Sequence, residues 1–236
     1  MERTHRVGAR ISPLALKQVD EILGYLKKYY PDIKTEIVGI ETYGDKDSQT
    51  PISEIEGTDF FTKELETALL KTEIDFAIHS AKDLPEDIPE GLIVAAITKS
   101  IDPYDALVSK NNLKLRELPH GSRIGTSSVR RKTQLKVYRN DFQVVDIRGN
   151  IEERLGLLDS NEQRTTNNEQ RNLDAIVIAA CGLKRLRLEY RITERIPFDI
   201  LKPHPLQGAL AVETRKDDLD LIEMFSKINS REMVKI

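Results

Sequence analysis

The sequence of 236 residues has few of the features that mark secreted, membrane or metal-binding proteins. It has one cysteine, Cys181, so a disulfide framework is impossible, and with four scattered histidines we predict no metal site. No apolar run approaches the roughly 20 residues that a membrane helix needs. The polar N-terminus has no apolar core of a signal peptide. We therefore expect a cytoplasmic location and no membrane partner.

An excess of charge of one sign is also missing. The chain has 36 Lys and Arg against 39 Asp and Glu, no tryptophan, and 6% aromatic residues. Nucleic-acid-binding proteins usually carry a basic excess, and those that bind single strands stack bases on aromatic rings. We therefore expect no nucleic-acid partner. The 39% apolar and 32% charged content is typical of a globular chain, here long enough for two modest domains.

Short apolar runs alternate with helical patterns, which predicts an α/β protein. Ser12-Pro13 predicts the cap and first turn of a helix, which continues with Leu16, Val19, Leu23 and Leu26 at helical spacing. Residues 74–79 are predicted to form a buried strand. Strands over 123–125, 143–147 and 174–180 are each predicted to lead into a helix. The polar residues 160–172 predict a surface loop.

Two of these strand-to-helix segments, Gly125–Arg131 and Ile147–Arg154, combine hydroxyl groups with arginines. Thr126, Ser127 and Ser128 come where a helix begins, and hydroxyls with unpaired backbone N–H groups there form an anion cradle. Guanidinium groups grip carboxylates and phosphates through two parallel hydrogen bonds. Residues 123–154 carry eight Lys and Arg against four acids, which fits a small anionic ligand better than a polymer.

The predicted anion-binding segments lie at the carboxyl ends of strands, where open α/β sheets bind their ligands. Ser80–Asp83, Thr126–Arg131 and Arg148 all have such positions, in two α/β halves of the chain. We therefore predict two lobes with a ligand cleft between them.

Seven motifs, in order over roughly residues 6–215, resemble the porphobilinogen deaminase (hydroxymethylbilane synthase) family. They are Arg6–Leu16, Thr62–Glu66, His79–Pro85, Gly125–Arg131, Arg148–Asn150, Gly182–Leu186, and Gln207–Ala209 with Glu213. The resemblance implies the two-lobed fold of type II periplasmic binding proteins, with lobe 1 at 1–102 plus 204–220, lobe 2 at 103–203, and 221–236 as the remnant of a third domain. It implies a transferase that condenses porphobilinogen into linear hydroxymethylbilane with release of ammonia.

The resemblance also assigns roles to single residues. Asp83 corresponds to the catalytic aspartate, whose negative charge stabilises cationic pyrrole species. The residues that correspond to binders of substrate and cofactor carboxylates are Arg10, Ser12, Lys63, Lys82, Ser128, Arg130, Arg131, Arg148, Arg154 and Arg185. Ser80 and Thr126 join this set because of their positions at strand ends. Lys63 is expected in a mobile segment that precedes the first-lobe helix.

The resemblance implies a dipyrromethane primer, which the family bonds to a cysteine of the third domain. That cysteine is expected to be absent, since Cys181 aligns with a small residue at the end of a buried strand and is expected in the core. Thr58, Tyr104 and Leu206 stand where the family has a lysine, an arginine and a glycine. The implied partners are porphobilinogen, bound by a monomer, and a partner chain if one supplies the third domain.

Alternatives remain open at this point. The expected absence of the primer-anchoring cysteine favours a non-catalytic two-lobed protein that binds porphobilinogen or another polycarboxylate. The presence of Asp83 together with the arginines argues against that hypothesis. A transport-type receptor would need a signal peptide. Asp83 could be a turn carboxylate beside Lys82, and Arg130–Arg131 could be a solvated helix face, since adjacent helix residues point in different directions. Lys63, Arg154 and Arg185 could equally be surface residues.

Overall fold

The computed structural model describes residues 3–46, 59–85, 87–160 and 172–230, and the chain divides into two compact units. Among the described residues, the first unit comprises 3–46, 59–85, 87–101 and 208–230, and the second comprises 102–160 and 172–207. The chain passes from one unit to the other at 101–102 and returns at 207–208. Thr58 and most of the predicted 160–172 loop lie outside the described residues.

The first unit is built on a five-stranded mixed sheet in the order β2-β1-β3-β10-β4. Its strands are β1 (Thr4–Ala9), β2 (Lys34–Gly39), β3 (Phe76–Ser80), β4 (Leu92–Ile97) and β10 (Leu210–Arg215). Its helices are α1 (Pro13–Leu26), α2 (Tyr43–Lys46), α3 (Lys63–Leu70) and α7 (Leu219–Ser226). β1 runs parallel to β2 and β3, and β10 is antiparallel to both of its neighbours.

The predicted start of α1 is confirmed, because Ser12 Oγ accepts a hydrogen bond from Ala15 N at 3.2 Å and Pro13 follows in the first turn. Helical spacing of the apolar residues does not by itself fix which residues of α1 are buried. Leu16 is exposed, whereas Gln18 is buried. Gln18 can be buried because its Nε2 donates to Ser80 Oγ at 2.8 Å, at the end of β3.

The C-terminal helix α7 belongs to the first unit. Its Leu221 and Phe225 are buried in that unit's core, and the Phe225 ring lies 4.8 Å from that of Phe76. The expected boundary at 220/221 therefore falls inside a helix that packs on the sheet. Burial of its apolar face holds α7 on the sheet of this unit.

The second unit has its own five-stranded mixed sheet, in the order β7-β6-β8-β5-β9. Its strands are β5 (Asp105–Ser109), β6 (Arg123–Gly125), β7 (Gln143–Val145), β8 (Ala175–Ala179) and β9 (Glu194–Ile196). Its helices are α4 (Val129–Tyr138), α5 (Ile151–Asp159) and α6 (Ala180–Arg185). β6 runs parallel to β7 and β8, so the carboxyl ends of these three strands lie at one edge of the sheet.

Helices cover both faces of this second sheet. One core contains Leu155 of α5 and Leu183 of α6, and the other contains Leu135 of α4. Cys181 is buried in the first turn of α6, so the prediction that it is a core residue is confirmed. None of the described helices is both long and apolar enough to cross a membrane.

Candidate functional site

In the first unit, Asp83 ends a short 3₁₀ turn, Ala81–Asp83, that follows β3 directly. The turn is fixed to the neighbouring segment, because Ala81 N donates to Ala209 O at 3.1 Å. Asp83 and Lys82 are half-buried, and neither has a hydrogen-bond or ion-pair partner among the residues that the structure describes.

The other predicted binders of the first unit are already engaged within the protein. Arg10 Nε lies 3.1 Å and 3.2 Å from the two carboxylate oxygens of Asp45, and its guanidinium lies 4.6 Å from the centre of the Phe61 ring. Burial disfavours the ionised form of Asp45, but hydrogen bonds from Arg10 and Thr42 outweigh it and lower the pKa of that carboxyl. Ser12 uses its oxygen as the cap of α1.

Two further positions differ from what the sequence alone indicated. Lys63 is the exposed first residue of α3 itself, not part of a segment that precedes the helix. The Ser80 hydroxyl oxygen accepts a hydrogen bond from Gln18. The sequence did not indicate this contact, because a polar residue in a helix is not expected to be buried. Since Gln18 occupies an acceptor position of the Ser80 oxygen, the Ser80 hydroxyl proton is left to be donated elsewhere.

In the second unit, the buried carboxylate of Asp105, the first residue of β5, binds two adjacent arginines at once. Arg130 Nη2 lies 2.7 Å from Oδ2, Arg131 Nε lies 2.8 Å from Oδ1, and Gln207 Nε2 donates to Oδ1 at 3.1 Å. Burial raises the pKa of Asp105. The charges of Arg131 and Arg130 lower this pKa by more than burial raises it, so the net shift is downward. The alternative of a solvated helix face is therefore wrong, because both side chains converge on Asp105.

Arg130 and Arg131 nevertheless differ in what they can offer a ligand. The Arg131 side chain is 7% exposed, and its remaining nitrogen donates to Val177 O at 3.4 Å. The Arg130 side chain is 23% exposed and also donates to Lys202 O at 2.6 Å. The prediction that Arg131 binds the ligand directly is not supported, because all three of its guanidinium nitrogens face protein oxygens.

Thr126 has the position of an anion-binding hydroxyl at the end of β6. It is fully buried, its N–H donates to Val145 O at 2.9 Å, and its Oγ1 has no hydrogen-bond partner among the residues that the structure describes. A buried polar atom without a partner costs about 1–3 kcal/mol. Ser128 follows as the N-cap residue of α4, although its side chain does not cap the helix. Ser127 cannot join the cradle, because its hydroxyl is bound to Ile147.

Arg148 and Arg154 add positive charge near Arg131 of α4. Arg154 Nε donates to Gly149 O at 2.8 Å, which holds the start of its guanidinium against the turn after β7. Burial, together with the nearby charges of Arg131 and Arg148, lowers the pKa of Arg154 to about 10, and Glu153 opposes this only in part. The like charges repel one another, so an anion with several carboxylates would stabilise the cluster. Arg185 lies at the far end of α6.

Comparison with known proteins places this arrangement in a family. Residues 5–223 match the family model described as porphobilinogen deaminase, dipyromethane cofactor binding domain. The porphobilinogen deaminase of Pelotomaculum thermopropionicum is 45% identical over 232 residues, which are 98% of this chain and 71% of the relative. That of Natranaerobius thermophilus is 44% identical over 230 residues, again 98% of this chain and 71% of the relative.

A solved structure is also similar. The methionine-binding protein MetQ matches with a TM-score of 0.52 over 95% of this chain and 88% of its own. At 14% identity the likeness shows the fold alone. It confirms the predicted α/β fold of the periplasmic-binding-protein type.

Proposed function

Because this chain belongs to the porphobilinogen deaminase family, we propose that Asp83 is its catalytic carboxylate and that Thr126, Arg148 and Arg154 bind substrate carboxylates. The chain is a transferase that condenses porphobilinogen into linear hydroxymethylbilane with release of ammonia, in tetrapyrrole biosynthesis. The observation that carries the site proposal is the grouping of Arg148 and Arg154 with Arg131 of α4, together with the hydroxyl of Thr126 at the end of β6; burial and then the charges of Arg131 and Arg148 lower the pKa of Arg154.

The substrate explains the need for so many cations. Porphobilinogen carries an acetate and a propionate arm, so each condensation adds two carboxylates to the growing chain. Arg148 and Arg154 can each hold a carboxylate through charged hydrogen bonds, and the Thr126 hydroxyl can donate to an oxygen that reaches the end of β6. Arg130 is fixed by Asp105, and part of its guanidinium is exposed. These groups bind and orient the arms without touching the reacting carbon.

Asp83 has a different task. Loss of ammonia from porphobilinogen leaves a cationic azafulvene, and the condensation that follows passes through a second pyrrole-centred cation. A fixed carboxylate that is not neutralised by a neighbouring cation stabilises both species by its negative charge. The Asp83 side chain has no ion-pair partner among the described residues, which supports this role. The same carboxylate can hold the proton that the departing amine takes.

The second unit also fits the dipyrromethane cofactor that the family model names. The partnerless hydroxyl of Thr126 and the crowded guanidinium groups of Arg148 and Arg154 are suited to its carboxylates, with Ser128 and Arg130 nearby in sequence and structure. When bound, dipyrromethane supplies the primer to which the first porphobilinogen is joined. The argument that this unit can hold dipyrromethane therefore rests on these hydroxyl and guanidinium hydrogen-bond donors.

We propose that Cys181 is not the attachment point of this primer, because it is buried in the first turn of α6. A monomeric state and a cytoplasmic location also stay predictions of this proposal. A single buried cysteine is compatible with a reducing compartment.

Incubation of the pure protein with porphobilinogen tests the function and the attachment together. We expect consumption of porphobilinogen, release of ammonia and formation of hydroxymethylbilane, measured alongside the intact mass of the protein. A mass increase with turnover would show a covalent primer, and turnover at unchanged mass would show a non-covalent one. Binding without consumption would contradict the enzyme and select the non-catalytic binding protein.

Replacing Arg148 with alanine should weaken porphobilinogen binding by about 1.5–3 kcal/mol, the contribution of a charged hydrogen bond. The affinity is best measured by calorimetry in an Asp83→Asn background, so that the ligand is not consumed. Arg191→Ala is a matched control, since Arg191 forms a surface ion pair with Asp159 away from this cluster. Equal affinity of the Arg148→Ala and control proteins would place Arg148 outside the site.

A further inference from the structure

Ser127 lies between two predicted binding residues, yet its hydroxyl is directed into the protein. Ser127 Oγ accepts from Ile147 N at 3.0 Å and donates to Ile147 O. The hydroxyl is therefore engaged inside the protein, where Ser127 is 2% exposed and Ile147 is fully buried. One hydroxyl thus satisfies both backbone polar groups of the residue that precedes Arg148.

The hydroxyl takes the place of a backbone partner beyond the end of the sheet. The parallel pairing of β6 with β7 ends at Gly125 and Val145, and Thr126 N still donates to Val145 O at 2.9 Å. After this point the Ser127 side chain continues the connection to Ile147. Gly125 allows the close approach, because a Cβ atom there would lie 2.8 Å from Ile147 Cγ2.

The backbone on the other side of Arg148 is fixed as well. Gly149 has a φ of +95°, which glycine adopts readily, and Asn150 follows as the N-cap of α5. Asn150 and Glu153 form a reciprocal capping box, with hydrogen bonds of 2.7 Å and 2.9 Å. Arg148 therefore projects from a three-residue segment whose one end is set by Ser127 and whose other end is set by the start of α5.

We propose that Ser127 is a positioning residue for Arg148. It holds the backbone of Ile147 so that the Arg148 guanidinium meets the ligand carboxylate, without touching the ligand itself. The inference rests on the proposed role of Arg148. It replaces the expectation that all three hydroxyls of Thr126–Ser128 line an anion cradle, because the Ser127 hydroxyl has both of its hydrogen-bonding directions filled by Ile147.

A double-mutant cycle tests this role. Ser127→Ala, Arg148→Ala and the double variant are made in the Asp83→Asn background, and the Kd of porphobilinogen is measured by calorimetry. Ser127→Ala should weaken binding roughly tenfold when Arg148 is present and should have almost no effect when it is absent, since coupled residues are non-additive. Ser127→Cys, which keeps a weak donor in the same place, should give an intermediate affinity.

Ser122→Ala is the matched control. Ser122 is 3% exposed, directly precedes β6, and its Oγ donates to Pro119 O at 2.8 Å. It should lower the melting temperature as Ser127→Ala does but leave the Kd unchanged. Additive effects of Ser127→Ala and Arg148→Ala would overturn the positioning role while leaving Arg148 in the site. An Arg148→Ala variant of unchanged affinity would instead overturn the proposed binding site, and the positioning role with it.

Discussion

Replacing Asp83 with asparagine should slow hydroxymethylbilane formation by about 10²–10³-fold, the usual effect of removing a group that stabilises transition-state charge. Asparagine keeps the shape of the side chain but has no negative charge for the azafulvene cation. The Kd of porphobilinogen should change little, because we propose that cationic and hydroxyl groups of the second unit, and not Asp83, bind the carboxylate arms. The rate is measured at saturating substrate, and the Kd by calorimetry.

The matched control for this substitution is Asp87→Asn, an exposed acid four residues further along the same loop. It should retain full activity. Undiminished turnover by Asp83→Asn would remove Asp83 from the catalytic role. Equal losses in the two variants would indicate that the loop conformation, rather than the Asp83 charge, is what the substitution disturbs.

Much of the fold could be predicted from local sequence, because strand and helix periodicity report burial directly. The start of α1 at Ser12-Pro13 follows from capping chemistry and is present in the structure. Leu16 has the helical spacing of the other apolar residues of α1, yet it is exposed. Gln18 is buried instead, because a hydrogen bond to Ser80 from a distant strand compensates its amide. A hydrogen bond of this kind, between residues distant in sequence, leaves no trace in the hydrophobic periodicity of the helix.

The site was predicted by residue type and position, but not by internal pairing. Thr126 follows β6, Arg148 follows the segment after β7, and the charges of Arg131 and Arg148 act on Arg154 of α5. Their roles as binding residues stay predictions. The sequence could not show that a buried acid, Asp105, is paired with the adjacent Arg131. An acidic residue is not expected among residues that bind carboxylates. The sequence pattern therefore did not indicate Asp105 as the residue that orients the arginines. Residue type could be used to predict what each side chain can bind. The orientation of each side chain could not be predicted, because it depends on contacts with residues distant in sequence.

Replacing Asp105 with asparagine should lower the free energy of unfolding by about 3–5 kcal/mol, the usual cost of breaking a buried ion pair on one side. Arg131 is 7% exposed and would keep its charge without a carboxylate. Porphobilinogen affinity should fall as well, because Arg130 loses the oxygen that holds it at 2.7 Å. Urea denaturation followed by circular dichroism measures the first effect, and calorimetry the second.

The control for Asp105 is Asp159→Asn, which removes an ion pair with Arg191 whose acid is 56% exposed and which should cost only about 0–1 kcal/mol. Acidification provides a second check. Because the arginines lower the pKa of Asp105, its stabilising contribution is complete above the unfolded-state pKa of about 3.9 and is lost as pH falls through the lower folded value. The stability difference between the wild type and Asp105→Asn should therefore be constant near neutral pH and shrink below about pH 4. A difference that persists unchanged through acid would mean that asparagine disturbs packing, and that the charge of Asp105 is not what holds the two arginines.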